Sequence, residues 1–181
     1  MKFLRISVLL IFFCSSVTGQ ITLTGKVLPK PSKISNMLFY LQRSKNTNTV
    51  IYEAKIDGSG RLSRERPVDA YWLHYELNNG VRAELSKFEE MAVYGVTFED
   101  LNDGTGNHLI RLKAFKARTM TLAKNKFGKY VGLMTINGKP AEIKRIYIEA
   151  KEGFLMPTVV HVDLFGIDPV TGEKVFERLF P

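Results

Sequence analysis

The sequence predicts a mainly β protein, an antiparallel β-sandwich or a partly open β-barrel with one short helix. Three observations carry this. Short segments alternate apolar and polar residues, the period of a strand that lays one face on a core. Turn-forming residues such as Asn137-Gly138 separate those segments. Only the stretch that begins at Ser86 has both helix-start and helix-stop signals.

Taken in order, Ile21–Leu28 is the first alternating segment. Met37–Arg43 and Thr49–Ile56 follow as a hairpin, with Ser44–Asn48 as its loop. Asp57-Gly58-Ser59-Gly60 is a turn. Tyr71–Leu77 is a strand that stops at Asn78-Asn79-Gly80. Ser86 and Glu89 form a capping box, in which hydroxyl and carboxylate each satisfy the other's free backbone N–H. Phe88, Met91 and Ala92, at i, i+3 and i+4, are expected to be the helix's buried face, and Gly95 its end. His108–Phe115, Met120–Lys124 and Tyr130–Ile136 are strands. Asn137-Gly138 then predicts a type I′ turn into a strand over 142–150, since both residues accept positive φ. Val159–Phe165 and Lys174–Phe180 are the last pair, joined through Asp168-Pro169-Val170-Thr171-Gly172.

The chain has 181 residues, 45% hydrophobic and 24% charged, a balance that excludes a disordered chain, a collagen repeat and a polytopic membrane protein. Residues 1–19 have the pattern of a secretory signal. Lys2 and Arg5 are its positive region, Ile6–Cys14 its apolar run, and Val17-x-Gly19 its small-residue cleavage site. That run is too short to span a bilayer comfortably. Cleavage near Gly19-Gln20 leaves one domain, residues 20–181, exported to the periplasm or beyond. Phe12 and Phe13 precede Cys14, where a lipid-anchor signal needs small residues, so no anchor is expected. Cleavage removes the chain's one cysteine and, with it, any thiol chemistry.

The formal net charge of +8 falls to +6 when Lys2 and Arg5 are lost. Gly104–Ala141 contains no Asp or Glu but carries Arg111, Lys113, Lys116, Arg118, Lys124, Lys126, Lys129 and Lys139. Such a field attracts polyanions, and for an exported protein the fitting partner is an anionic envelope glycan or lipid headgroup. Nucleic acid is not expected, because no recognition motif is present. The bland alternative is that these bases protect sheet edges against aggregation.

Several stretches together carry a resemblance. They are Phe39-Tyr40-Leu41-Gln42-Arg43 with Asn46-x-Asn48-Thr49-Val50-x-Tyr52-Glu53, Val68-x-x-Tyr71-Trp72, Leu85-Ser86 with Glu89 and Tyr94-Gly95, and Val162-Asp163-Leu164-Phe165-Gly166 with Thr171-Gly172. Over about Met37 to Glu177 the chain resembles the domain-of-unknown-function family numbered 4833. The resemblance implies small exported bacterial proteins. It carries no assigned activity, so it transfers no catalytic residue.

Chemistry-bearing patterns are few. The three histidines, His74, His108 and His161, lack metal-ligand spacing, and there is no nucleophile elbow, phosphate loop or dinucleotide fingerprint. No metal or cofactor is expected. His161 and Asp163 stand at i, i+2 on one strand face, expected to be solvated, while Val160, Val162 and Leu164 are expected to be core. A carboxylate beside a histidine can orient it as a base, which makes the pair the weak catalytic candidate. In Tyr71–Leu77 the Tyr71, Leu73, Tyr75 and Leu77 face reads as core. The other face sets Trp72 beside His74 and Glu76, a stacking platform for a ligand or else a tryptophan covered by the helix. Arg111, Lys113 and Lys116 are the candidates for anion binding. Arg43, Asn46, Asn48, Tyr52 and Glu53 cluster around the first hairpin, where Arg43 and Glu53 read as cross-strand partners.

The functional expectation is a non-catalytic ligand- or partner-binding module of the cell envelope. The alternatives are a small hydrolase using His161 and Asp163 or His74 and Glu76, and a carrier of a small apolar ligand. Convergence of such a pair in one concave site would favour the enzyme, and a large dry cavity the carrier.

Overall fold

A computed structural model describes residues 28–32, 34–76, 79–151 and 157–181. Residues 1–19, expected to be a secretory signal, and the predicted strand Ile21–Leu28, apart from Leu28, lie outside the described residues. Strand makes up 58% of the described residues and helix 5%, so the sheet must curl to cover its own core. The partly open barrel is the form that it takes: one curled sheet, an open half-barrel.

The strands are β1 (Met37–Arg43), β2 (Asn46–Ala54), β3 (Val68–His74), β4 (Val81–Glu84), β5 (Val96–Asp100), β6 (His108–Leu112), β7 (Phe115–Lys124), β8 (Tyr130–Ile136), β9 (Lys139–Lys151), β10 (Thr158–Ile167) and β11 (Lys174–Leu179). The 13-residue β9 is the spine. One of its edges pairs with β10, which in turn pairs with β11. Its other edge pairs with β8 over Lys139–Glu142 and then with β1 over Arg145–Ile148. Two arms therefore leave the same edge of β9, one running β1-β2-β3-β4 and the other β8-β7-β6-β5. The β1–β9 ladder is parallel and the other ladders are antiparallel.

The concave side holds the main core. Phe39 and Tyr52 are fully buried and stack at 4.5 Å, and Val50, Ala70, Trp72, Ile110, Leu122, Ile136, Ile143 and Leu164 complete it. A smaller cluster of Ile51, Tyr71 and Leu73 lies on the other face, packed by Ile34, Met37, Tyr40 and Tyr75. Beside it, the buried Gln42 donates from Nε2 to the Pro29 carbonyl at 2.7 Å and to Thr49 Oγ1 at 3.1 Å. β3 is thus buried on both sides. The Tyr71 and Leu73 face belongs to this smaller cluster, and Trp72 points into the main core.

The ends of the two arms are joined by the β4–β5 connection, which contains the short helical turn Glu89–Val93. Its capping box forms as expected. The Ser86 N–H donates to Glu89 Oε2 at 2.9 Å, and the Glu89 N–H donates to Ser86 Oγ at 3.3 Å. The expected apolar face does not form. Phe88 is 65% and Met91 68% exposed, and Ala92 is exposed too. The reason is that the turn winds as a π-helix, with each bond reaching the fifth rather than the fourth residue along, so i+3/i+4 spacing no longer gives one side. Tyr94, just past its end, is the buried anchor. Its carbonyl accepts the Tyr52 hydroxyl at 2.9 Å and its ring meets Trp72 edge-on at 4.9 Å. Gly95 ends the turn because a Cβ there would lie 1.8 Å from the Glu90 carbonyl oxygen.

Three other expectations need correction. The first hairpin loop is Ser44-Lys45, because Arg43 pairs with Asn46. Asn46 and Asn48 are strand residues whose amides hold local backbone: Asn46 Oδ1 accepts the Asn48 N–H, and Asn48 Oδ1 accepts the Tyr75 N–H. β4 and β5 were absent from the sequence expectation, and His108–Phe115 is broken by a turn at Lys113-Ala114, where Leu112 pairs with Phe115. Asn137 and Gly138 do take left-handed φ, 50° and 75°, as expected of that turn.

Candidate functional site

The arms do not meet. β4 covers β3 only from Tyr71 to His74, so Val68–Ala70 has no β4 partner. β5 is the last strand of the other arm. Between them opens a cleft of about 290 Å³. Val68, Ala70, Val96 and Gly95 line it, and the exposed Met91 and Phe98 stand at its edge. Four charged residues also line it: Glu65, Arg66, Glu90 and Lys113. Arg66 is occupied by Asp69 at 3.2 Å and Glu90 at 3.1 Å. Lys113 has no ion-pair partner among the described residues. Its backbone N–H donates to the Gly95 carbonyl at 2.9 Å, which holds the β6–β7 turn against the cleft. The result is a partly apolar trough that carries the cation Lys113 and the carboxylate Glu65, neither with an ion-pair partner among the described residues. A ligand with an apolar body and an anionic end matches that layout.

Sequence candidates fall in three places. Arg111 remains on the outward face of β6, opposite the buried Ile110 and Leu112, and sits 3.9 Å from Glu99. Lys113 belongs to the cleft, and Lys116 is exposed on β7. The turn at Lys113-Ala114 thus separates Arg111 on β6 from Lys116 on β7.

Trp72 is 7% exposed and lies beneath the helical turn. Its Nε1–H donates to Glu89 Oε1 at 3.2 Å, so the covered arrangement is the one found. Burial works to raise the pKa of Glu89, but bonds from Ser86 and Trp72 and the charge of Arg43 outweigh it and lower the pKa. His74 is half-buried with its ring 6.1 Å from Trp72, and Glu76 is exposed. No hydrogen bond or ion pair joins His74 to Glu76 among the described residues.

His161 and Asp163 are 7% and 0% exposed, contrary to the solvated face expected for them. They lie on the convex side of β10, where Arg178 of β11 covers Asp163, and Phe180 packs edge-on to His161 at 6.1 Å. Of the expected core face, Leu164 is buried and Val160 and Val162 are half-buried. Arg178 binds both Asp163 oxygens, Nε to Oδ1 at 2.7 Å and Nη2 to Oδ2 at 2.8 Å. His161 Nε2 is 3.7 Å from Oδ2 and has no hydrogen-bond partner among the described residues. The carboxylate thus serves the arginine first. Arg43 and Glu53 sit at opposite ends of their hairpin, since Arg43 pairs with Asn46 and Met37 with Glu53, so they are not partners. The Tyr71 hydroxyl binds Glu53 at 2.9 Å instead.

The cleft residues Glu65, Arg66, Glu90, Val96 and Phe98 were missed. Alternation of Val96 and Phe98 with Thr97 and Glu99 was the available signal, in a strand of only five residues.

Fold and cleft define an open β half-barrel with an amphipathic seam. The sequence matches the profile of the domain-of-unknown-function family DUF4833 over residues 39–178, most of the chain. The chain belongs to that family. No curated protein and no solved structure matches it. No helix among the described residues is long and apolar enough to cross a membrane.

Proposed function

We propose that the chain is an exported, non-catalytic binding domain of the cell envelope, and that it holds an amphipathic ligand with an anionic end in the seam cleft. The carrying observation is the cleft itself: Met91 and Phe98 stand exposed beside a partly apolar trough that carries Lys113. Exposed large apolar groups around a concavity are the ordinary mark of a binding surface. Export rests on the pattern of residues 1–19. The envelope partner is anionic on this reading. Lys116, Lys124, Lys126, Lys129 and Lys139 are exposed, and the acid-free stretch that carries them favours such a partner.

The test is an NMR titration with dodecyl phosphate, with dodecyltrimethylammonium as the opposite-charge control. Expected are amide shifts concentrated at Val96, Phe98, Lys113 and Val68 for the phosphate, and their loss in Lys113→Glu. Equal response to both heads, or shifts scattered away from the cleft, would overturn the assignment.

A further inference from the structure

The β7–β8 turn, Asn125–Lys129, holds a large aromatic side chain out in water. Phe127 is 75% exposed, and the local backbone is fastened so that it stays there. Asn125 Oδ1 accepts the N–H groups of Phe127 at 2.9 Å and Lys129 at 3.2 Å. The Asn125 N–H donates to the Lys129 carbonyl at 2.8 Å, and the Gly128 N–H to the Asn125 carbonyl at 2.9 Å. Asn125 Nδ2 reaches Glu142 Oε1 on β9 at 3.4 Å. A turn this well bonded has no packing need for phenylalanine at its tip.

Around the tip stands a collar of cations. Lys124, Lys126 and Lys129 are all exposed. Lys126 Nζ is 5.4 Å from the Phe127 ring centre, and Lys124 Nζ lies 5.1 Å over Tyr130. Glu142, the acid that Asn125 contacts, is engaged by Lys144 at 2.7 Å. The β5–β6 loop lies at the same end of the sheet, since β6 pairs with β7 through His108 and Leu122. That loop adds Leu101, 40% exposed, and the exposed Asp100 and Asp103, whose carboxylates accept the N–H groups of Asn102 and Thr105.

A polyanionic glycan would satisfy the lysines but offers nothing to Phe127. An anionic lipid bilayer satisfies both, with headgroups for the lysines and hydrocarbon for the ring. We propose that the chain docks peripherally on an anionic lipid bilayer by inserting Phe127, with Lys124, Lys126 and Lys129 resting on the headgroups. Lys113 and Gly95, at the other end of this arm, keep the cleft away from the membrane. The inference takes from the proposed function only that the envelope partner is anionic, and it narrows that partner to lipid.

Sedimentation with vesicles of equimolar phosphatidylglycerol and phosphatidylcholine, and of phosphatidylcholine alone, tests it. The parent is expected to bind only the anionic vesicles and to be released by salt. Phe127→Ala should weaken binding by roughly tenfold or more, the equivalent of one buried aromatic side chain. Parent and variant differ at one residue, so any contribution of the rest of the chain cancels. In Phe127→Trp, brominated phosphatidylglycerol should quench a second emission component, because Trp72 is buried in the core. Unchanged binding of Phe127→Ala, absent quenching, or retention on heparin without vesicle binding would each overturn the proposal. None of these outcomes bears on the cleft, which the dodecyl phosphate titration tests separately.

Discussion

Arg178 grips Asp163 by both carboxylate oxygens, at 2.7 and 2.8 Å, and Asp163 is fully buried in the wall of the sheet. The two residues face each other in register on β10 and β11. Among the described residues β11 pairs with β10, and this two-point bond reinforces the register of their ladder.

Removing the arginine leaves the buried Asp163 carboxylate without its two-point partner. Arg178→Ala is therefore expected to lower the urea midpoint clearly more than Arg111→Ala, although each deletes one arginine. Arg111 pairs with Glu99 at 3.9 Å on an exposed surface, where such pairs contribute little. Equal midpoints for the two variants would show that the Asp163 pair is decoration.

Glu89 offers a pH-dependent measurement. Its folded pKa lies below the ordinary 4.5, so the carboxylate stabilises the folded state fully above about that pH. The contribution is lost as pH falls through the lowered folded value. Trp72 is the chain's one tryptophan and donates to this carboxylate, so its emission should change as pH falls below 4.5. Glu89→Gln should flatten that part of the profile while keeping an acceptor for the indole. A Gln variant with the parent's acid transition would place the titration elsewhere.

Legibility in the sequence follows how local each determinant is. The Asn137-Gly138 turn and the Ser86–Glu89 capping box depend on two to four neighbouring residues, and both form as expected. The strand at Val159–Phe165 was legible, but its faces were not. His161 and Asp163 look solvent-facing until Arg178, 15 residues beyond Asp163, covers them. Trp72 was legible as a special residue, yet its fate depends on the β4–β5 connection folding over it. The cleft was the least legible, because it exists only where β3 and β5, from different arms, fail to pair. The five-residue β5 was too short to be recognised without its partner β6.

The glycines of the turns provide the last measurement. Gly138 and Gly104 both hold left-handed φ, 75° and 78°, and a Cβ on either would meet open space. The cost of a β-branched residue at these positions is therefore conformational and not steric. Gly58 also faces open space but has no left-handed φ. Gly138→Val and Gly104→Val should each destabilise the fold by about 1–3 kcal/mol, whereas Gly58→Val should cost clearly less. Urea midpoints of the three variants decide the matter. If Gly104→Val behaves like Gly58→Val, the 101–107 loop has relaxed around the new side chain. If Gly138→Val does so, the β8–β9 turn is not the strained I′ type that its angles describe.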